Sequence, residues 1–152
     1  DQITLEFAGV DRHYHSCLMR TIPVGRARPL HVEMHKVAIE AMHACRDALK
    51  PGEPIGKVFD AYAAAAARHG MAGFRFNACG YSLGTTFSPN WMDWPMFYAG
   101  NPVLAEPGMV FFLHMILVDG GSATAMCPGT TVLVGERGNE VLSRRSLDLV
   151  VK

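Results

Sequence analysis

The chain has 152 residues, with 14 basic and 14 acidic side chains and therefore no formal net charge. Its composition, 49% hydrophobic and 18% charged, is that of a globular domain rather than a disordered segment. The balanced charge excludes the basic surface that nucleic acids and anionic membranes require, and the longest apolar stretch, Met109 to Val118, is too short to span a bilayer. We therefore expect one domain, 1–152, with no nucleic-acid or membrane partner.

The cysteines and the start of the chain bear on compartment and completeness. The four cysteines have no Cys-x-x-Cys spacing, which disfavours a zinc ribbon or a disulfide framework. No secretion signal opens the sequence, so we predict a cytoplasmic protein with reduced thiols. The chain begins directly in a strand-like run, Ile3 to Phe7, and we expect upstream elements to be missing.

Two strands and two helices are predicted in the first half. Alternating apolar residues predict strands at 3–8 and 13–24, separated by a turn. Pro29 begins a helix whose apolar residues recur every three or four positions, and Pro51-Gly52 stops it. A second helix is predicted from Ile55 to His69.

The second half is predicted to be rich in strands. A short strand is expected at 74–78, followed at 80–107 by a long loop, rich in Pro and Gly, of the kind that often carries function. Further strands are expected at 109–118, at 123–133 with a break at Pro128-Gly129, and at 140–142. Strands, then two helices, then strands predict an α+β fold in which helices cover one face of an antiparallel sheet.

Two pairs of histidines are candidates for chemistry. His31 and His35 lie four residues apart on the first helix and could share a metal ion, but the helix pattern places both on its polar side, which favours a solvated surface. His13 and His15 lie on the same face of a strand because strand side chains alternate. This second pair faces either a pocket or solvent, and the pattern leaves both readings open.

Glu6 and His114 interrupt apolar strands. A carboxylate that faces the interior of a sheet needs a partner or a raised pKa and is then often functional, whereas on a solvated face it is ordinary. The alternation around Glu6 fits both cases equally. A lone histidine in a buried strand, such as His114, belongs more often to the core than to a catalytic site.

The long loop carries an aromatic cluster around one carboxylate, formed by Trp91, Asp93, Trp94 and Tyr98. Aromatic faces attract cations, so this cluster could hold a cationic or zwitterionic small molecule. The alternative is that the aromatic side chains anchor the loop to the core.

Several segments, taken in order, resemble the second part of the pita-bread fold of the M24 hydrolases, which include methionine aminopeptidase, aminopeptidase P, prolidase and creatinase. The matching segments are Leu5 to Gly9, Tyr14 to Thr21, Gly80 to Gly84, Leu104 to Phe112, Thr131 to Val134 and Gly138 to Leu142. The resemblance implies a curved antiparallel sheet covered by helices, a homodimer, and a domain that normally begins upstream of this chain.

The same resemblance shows where this sequence departs from the family. The metallopeptidases of the family hold two metal ions with Asp, Asp, His, Glu and Glu. By position, those ligands fall here on Glu6, Cys17, Tyr81, His114 and Gly129. Two cations about 3.5–4 Å apart need several bridging carboxylates, and only Glu6 supplies one. We therefore expect no paired metals and no other cofactor, while a single zinc on Glu6, Cys17 and His114 is a minor alternative.

The departures themselves are similar to an ectoine-hydrolase-like branch of the family, which implies hydrolysis of a C–N bond in a small amide, amidine or imino-acid substrate without paired metals. Carried over by position, Glu6 is the nucleophile or general base, His114 its acid–base partner and Tyr81 a hydrogen-bond donor to developing charge. The predicted substrate-binding residues, for a zwitterionic or imino-acid molecule, are His15, Cys17, Trp91, Asp93 and Trp94.

Two other functions stay open from the sequence. One is a metal-dependent Xaa-Pro dipeptidase whose ligands come from His13, His15, His31 and His35. The other is a non-catalytic pseudo-peptidase that serves as a binding module.

Overall fold

The computed structural model describes residues 1–152 and contains two helices and nine strands. In chain order the elements are β1 (Gln2–Asp11), β2 (Tyr14–Pro23), α1 (Pro29–Ala48), α2 (Gly56–Arg68), β3 (Gly80–Leu83), β4 (Asp93–Met96), β5 (Val110–His114), β6 (Leu117–Asp119), β7 (Thr124–Met126), β8 (Gly129–Val134) and β9 (Asn139–Val141). This order confirms the predicted α+β class. Neither helix has the length and apolar content that crossing a membrane requires.

Seven strands form one antiparallel sheet in the order β1-β2-β8-β5-β3-β4, with β9 on β8. The β1–β2 hairpin is fully paired from Gln2–Pro23 to its turn, whereas β2 pairs with β8 only at Met19–Gly129. A single bridge between Tyr14 and Thr85 joins the turn end of the hairpin to the residues that follow β3. The sheet therefore curls until its first and later strands approach each other.

The helices cover one face of this sheet because their apolar residues recur at helical spacing. Met34, Val37 and Cys45 of α1 are fully buried in a core of 24 residues that also includes Phe111 and Leu113 of β5. Helix α1 ends at Ala48, close to the predicted stop at Pro51. The two predicted helices are thus confirmed.

The opposite face of the sheet, here called the open face, carries a second buried cluster. Its six members are Cys17, Met19, Tyr81, Leu83, Phe112 and Cys127. Because neighbouring strand residues point to opposite faces, Phe112 lies on the open face while Phe111 and Leu113 face the helices. The open face is where the candidate site lies.

Three predicted elements differ from the structure. The predicted loop at 80–107 contains β3 and β4, two short strands that pair with each other, β3 also pairing with β5. The predicted strand at 74–78 makes only an isolated bridge, Arg75–Leu117, since Phe74 N donates to Met71 O in a turn. The predicted strand at 109–118 divides after His114, and the break expected at Pro128-Gly129 separates β7 from β8.

Candidate active site

A hydrogen-bond chain joins three residues of the open face that the sequence placed far apart. Tyr81 Oη donates to Glu6 Oε1 over 3.3 Å, and Trp91 Nε1 donates to Tyr81 Oη over 2.9 Å. Glu6 is opposite Met19 in the β1–β2 register, and Tyr81 is opposite Phe112, so the pleat directs both side chains to the same face. Glu6 and Tyr81, two of the predicted catalytic residues, therefore lie within hydrogen-bond distance of each other.

Burial sets the protonation of Tyr81. The side chain is 3% exposed, and burial raises the pKa of its phenol well above the usual value, with the negative charge of Glu6 adding to the effect. Tyr81 therefore keeps its proton at all ordinary pH values. Glu6 is exposed, so its carboxylate is accessible from the open face. The pair combines an accessible carboxylate with a fixed hydroxyl donor.

His114 ends β5 beside this pair. Its ring centroid lies 5.4 Å from that of Tyr81 and 5.7 Å from that of Phe112. Burial lowers the pKa of His114 to about 4, so the imidazole is neutral near pH 7. Its Nδ1 atom is buried and has no hydrogen-bond partner in the protein. A neutral imidazole of this kind can still exchange a proton or bind a ligand.

Cys17 lies on the same face, with its thiol buried and its backbone hydrogen-bonded to β8. It is 1% exposed, and burial, with the charge of Glu6 as a second cause, raises the pKa of its thiol to about 12. Its backbone N–H donates to Thr131 Oγ1, which in turn donates to Cys17 O. Thr131 thus joins β2 to β8 where the strand ladder has separated, a role the sequence analysis missed.

Gly129, which the resemblance aligns with the last of the family's ligand positions, leaves little room for a larger residue. A Cβ atom added to Gly129 would lie 2.4 Å from Cζ of Phe112 and 2.9 Å from Cβ of Met19. The ring of Phe112 therefore fills the space into which a ligand side chain would extend. No sequence pattern marks Phe112 for this role, because the contact crosses from β5 to β8.

The residues at the five ligand positions do not fit a pair of divalent cations. They offer one carboxylate, one imidazole, a phenol and a thiol that both hold their protons, and no side chain at Gly129. Thiols bind metal as thiolates and bridging needs carboxylates. No three His, Cys, Asp or Glu side chains of the chain form a group that could hold a metal ion.

The four histidines of the dipeptidase alternative do not converge. His13 lies in the β1–β2 turn and stacks on Phe87 with ring centroids 4.6 Å apart. His15 Nδ1 lies 3.2 Å from Thr86 Oγ1. His35 is half-buried on α1, with Nε2 2.8 Å from Leu147 O.

His31 corrects the prediction of a solvated surface. The His31 side chain is 1% exposed. It lies in the first turn of α1, where its Nδ1 accepts a hydrogen bond from Arg28 N–H. Its Nε2 therefore carries the proton and donates to Gln2 Oε1 over 2.7 Å. Burial, with the charge of Arg28 as a second cause, lowers the pKa of His31. The imidazole caps the helix and ties it to β1.

The predicted aromatic cluster divides in two. Trp91 belongs to the chain with Tyr81 and Glu6, whereas Trp94 is 61% exposed and lies against Tyr98, with ring centroids 5.9 Å apart. The carboxylate of Asp93 accepts from Trp94 N–H over 2.8 Å. These side chains do not form a single cage.

A cavity of about 790 Å³ lies where the hairpin returns to β3. Two predicted substrate-binding residues, His15 and Asp93, line it together with Leu83. Neither Glu6 nor His114 lines this cavity. Leu83 belongs to the open-face cluster with Tyr81, so the cavity and the hydrogen-bond chain are neighbours along β3.

Comparisons with known proteins give a family match and two named relatives. A model of metallopeptidase family M24 matches residues 1–136. The chain is 28% identical over 151 residues to the ectoine hydrolase of Halomonas elongata, covering 97% of this chain and 36% of that protein. It is 22% identical over 154 residues to the Xaa-Pro dipeptidase of Pyrococcus furiosus, covering 99% of this chain and 42% of that protein.

The fold has close counterparts among solved structures. The dipeptidase PepE of Mycobacterium ulcerans superposes with a TM-score of 0.90 at 24% identity, covering 99% of this chain and 40% of that one. This likeness confirms the predicted pita-bread fold. The chain thus spans well under half the length of the relatives it matches.

Proposed function

The chain belongs to metallopeptidase family M24, and from that premise we propose that it carries the acid–base site of a hydrolase that cleaves a C–N bond in a small amide, amidine or imino-acid substrate without paired metal ions. The observation that carries the proposal is the hydrogen-bond chain from Trp91 through Tyr81 to the accessible carboxylate of Glu6. These hydrogen bonds lie on the open face, where the resemblance places the family's metal ligands.

The side chains divide the work of such a hydrolysis. Glu6 takes a proton from water while the water oxygen adds to the carbonyl or amidine carbon, and it then returns the proton to the leaving nitrogen. Tyr81 keeps its proton and donates a hydrogen bond to the charge that develops. His114, neutral and buried beside Tyr81, is the proposed acid–base partner, and its lowered pKa makes it a weak base near pH 7. Direct attack by the Glu6 carboxylate on the same carbon is the covalent form of this chemistry.

The Halomonas relative supports a small-molecule substrate, since that protein is an ectoine hydrolase matched along 97% of this chain. We propose a zwitterionic or imino-acid substrate, which His15 and Asp93 would contact from the adjoining cavity. The homodimer and the cytoplasmic compartment predicted from the sequence stay predictions.

The rival functions make different demands on the same residues. A metal-dependent enzyme with the Xaa-Pro dipeptidase activity for which the Pyrococcus relative is named would need a ligand set that the separated histidines do not provide. A pseudo-peptidase needs no accessible carboxylate, so it would not depend on Glu6. The pseudo-peptidase is therefore distinguished by the substitution of Glu6, and the dipeptidase by the dependence of its activity on metal.

The test replaces Glu6 by Gln and measures turnover of ectoine and of Xaa-Pro dipeptides in the presence of a chelator. Glu140→Gln is the matched control, because Glu140 is also an exposed strand glutamate but lies on β9. We expect Glu6→Gln to lower the turnover of the accepted substrate about 10²- to 10⁴-fold and Glu140→Gln to leave it unchanged. Equal turnover by both variants would refute the proposal, and activity that the chelator abolishes would favour the dipeptidase.

A further inference from the structure

A second recess, of about 530 Å³, adjoins the candidate active site at the end of β5. It is lined by Arg75, Phe76, Asn77, Ala78, Met96 and His114. His114 thus connects the recess to Tyr81, against which its ring packs. The lining contains one guanidinium and no carboxylate, so the recess carries a positive charge that nothing within it neutralises.

Two buried polar atoms of the recess residues have no partner. They are Nε of Arg75 and Nδ1 of His114, and they are the only buried side-chain N or O atoms of the chain in this condition. Buried polar groups in folded proteins nearly always form hydrogen bonds, because an unpaired one costs free energy. Both atoms belong to residues that line the same recess.

Arg75 is held in place by contacts that leave its Nε atom free. Nη1 donates to Phe76 O over 3.2 Å, and Cζ lies 5.2 Å from the centroid of the Phe59 ring. The backbone of this segment is fixed by the Arg75–Leu117 bridge and by Phe76 N–H, which donates to Tyr62 Oη over 3.3 Å. The guanidinium is therefore positioned before any ligand arrives, which reduces the entropic cost of binding.

We propose that this recess binds the carboxylate group of the small molecule on which the neighbouring site acts, an assignment that rests on the function proposed above. A planar carboxylate accepts two parallel hydrogen bonds from one edge of a guanidinium, and the unpaired Nε of Arg75 belongs to such an edge. The amide of Asn77 is a further donor at the same recess, and Nδ1 of His114 is a donor in the tautomer that carries its proton there. The exposed ring of Phe76 supplies an apolar wall for the body of the molecule.

Binding is tested apart from turnover by titrating the chain with N-acetylglycine and following the ring nitrogens of His114 by NMR. N-acetylglycinamide, which has the same shape without the charge, and inorganic sulfate are the comparison probes. We expect saturable movement of the His114 resonances with N-acetylglycine, and dissociation constants at least about tenfold weaker for the amide. Equal binding of the amide or of sulfate would overturn the assignment to a carboxylate.

Arg75→Gln is the informative variant, and Arg144→Gln, which removes the same charge from an exposed site outside the recess, is its control. Arg75→Gln is expected to weaken N-acetylglycine at least about tenfold and Arg144→Gln to leave it unchanged. Unaltered affinity in Arg75→Gln would contradict the proposal. If Arg75→Gln fails to fold, the comparison of acid with amide on the parent chain decides. Glu6→Gln should still bind N-acetylglycine, so failure of this assignment is separable from failure of the proposed hydrolysis.

Discussion

The two faces of the curled sheet bury different kinds of residues. On the helix-covered face, Phe111 and Leu113 of β5 are fully buried among apolar side chains. On the open face, Phe112 and His114 of the same strand lie against Tyr81, and His114 keeps an unpaired nitrogen. Alternate residues of one strand thus contribute to stability on one side and to the candidate site on the other. The candidate site retains polar groups whose burial costs free energy of folding. The apolar core on the opposite face offsets this cost.

The largest stability effect is expected on the helix-covered face. Leu113→Ala removes a fully buried side chain and should lower the free energy of unfolding by about 2–5 kcal/mol. Leu5→Ala on β1 is the control, because Leu5 is 44% exposed and should cost much less. Urea denaturation measures both, and equal losses would show that the burial of Leu113 does not stabilise the chain.

Acid is expected to act on the open face through His114. Its pKa is lowered from 6.5 to about 4, so the stability it contributes is present above pH 6.5 and is lost as the pH falls towards 4. The loss approaches about 3 kcal/mol at most, and His31, whose pKa is also lowered, contributes in the same direction.

Unfolding measured between pH 7 and pH 4 checks this sign. His114→Gln should flatten the dependence, since glutamine does not titrate, while His43→Gln at an exposed position of α1 should leave it unchanged. A His114→Gln variant with the pH profile of the parent chain would show that His114 is not the group responsible.

A smaller loss of stability is expected at Gly129, where the Phe112 ring fills the last ligand position. Gly129→Ala places a methyl group against the Phe112 ring and should destabilise the chain by about 1–3 kcal/mol. Gly120→Ala is the control, because no atom lies within 4 Å of an added Cβ there. In a double-mutant cycle, Phe112→Leu should reduce the Gly129→Ala penalty. An unchanged penalty would mean that Phe112 does not close this position.

The sequence predicted the helices and the first hairpin because their signals are local. Helical spacing and the stop at Pro51 define α1, and alternation places Glu6 on one face of β1. Strands β3 and β4 escaped prediction since each has four residues and is stabilised by pairing with a distant partner. Short strands among prolines and glycines give no periodic signal of their own.

The candidate site was predictable only in part, for a similar reason. Its members came from positional resemblance to a family, and the structure adds the contacts, such as the one from Trp91 to Tyr81, that no spacing reveals. His31 was misplaced because its burial involves a hydrogen bond to Gln2 in another element. The sequence pattern did not mark Arg75, which lies between two phenylalanines in a partly buried segment.

The central claim is that the open face of this chain works through Glu6 rather than through paired metal ions, and metal content tests it most directly. The chain is incubated with manganese, cobalt and zinc, desalted, and analysed by mass spectrometry for bound metal. The account predicts no near-stoichiometric retention of any of the three, because the donor set offers one carboxylate and Phe112 fills the place beside Gly129. Retention of two ions per chain would contradict it and would favour the metal-dependent dipeptidase.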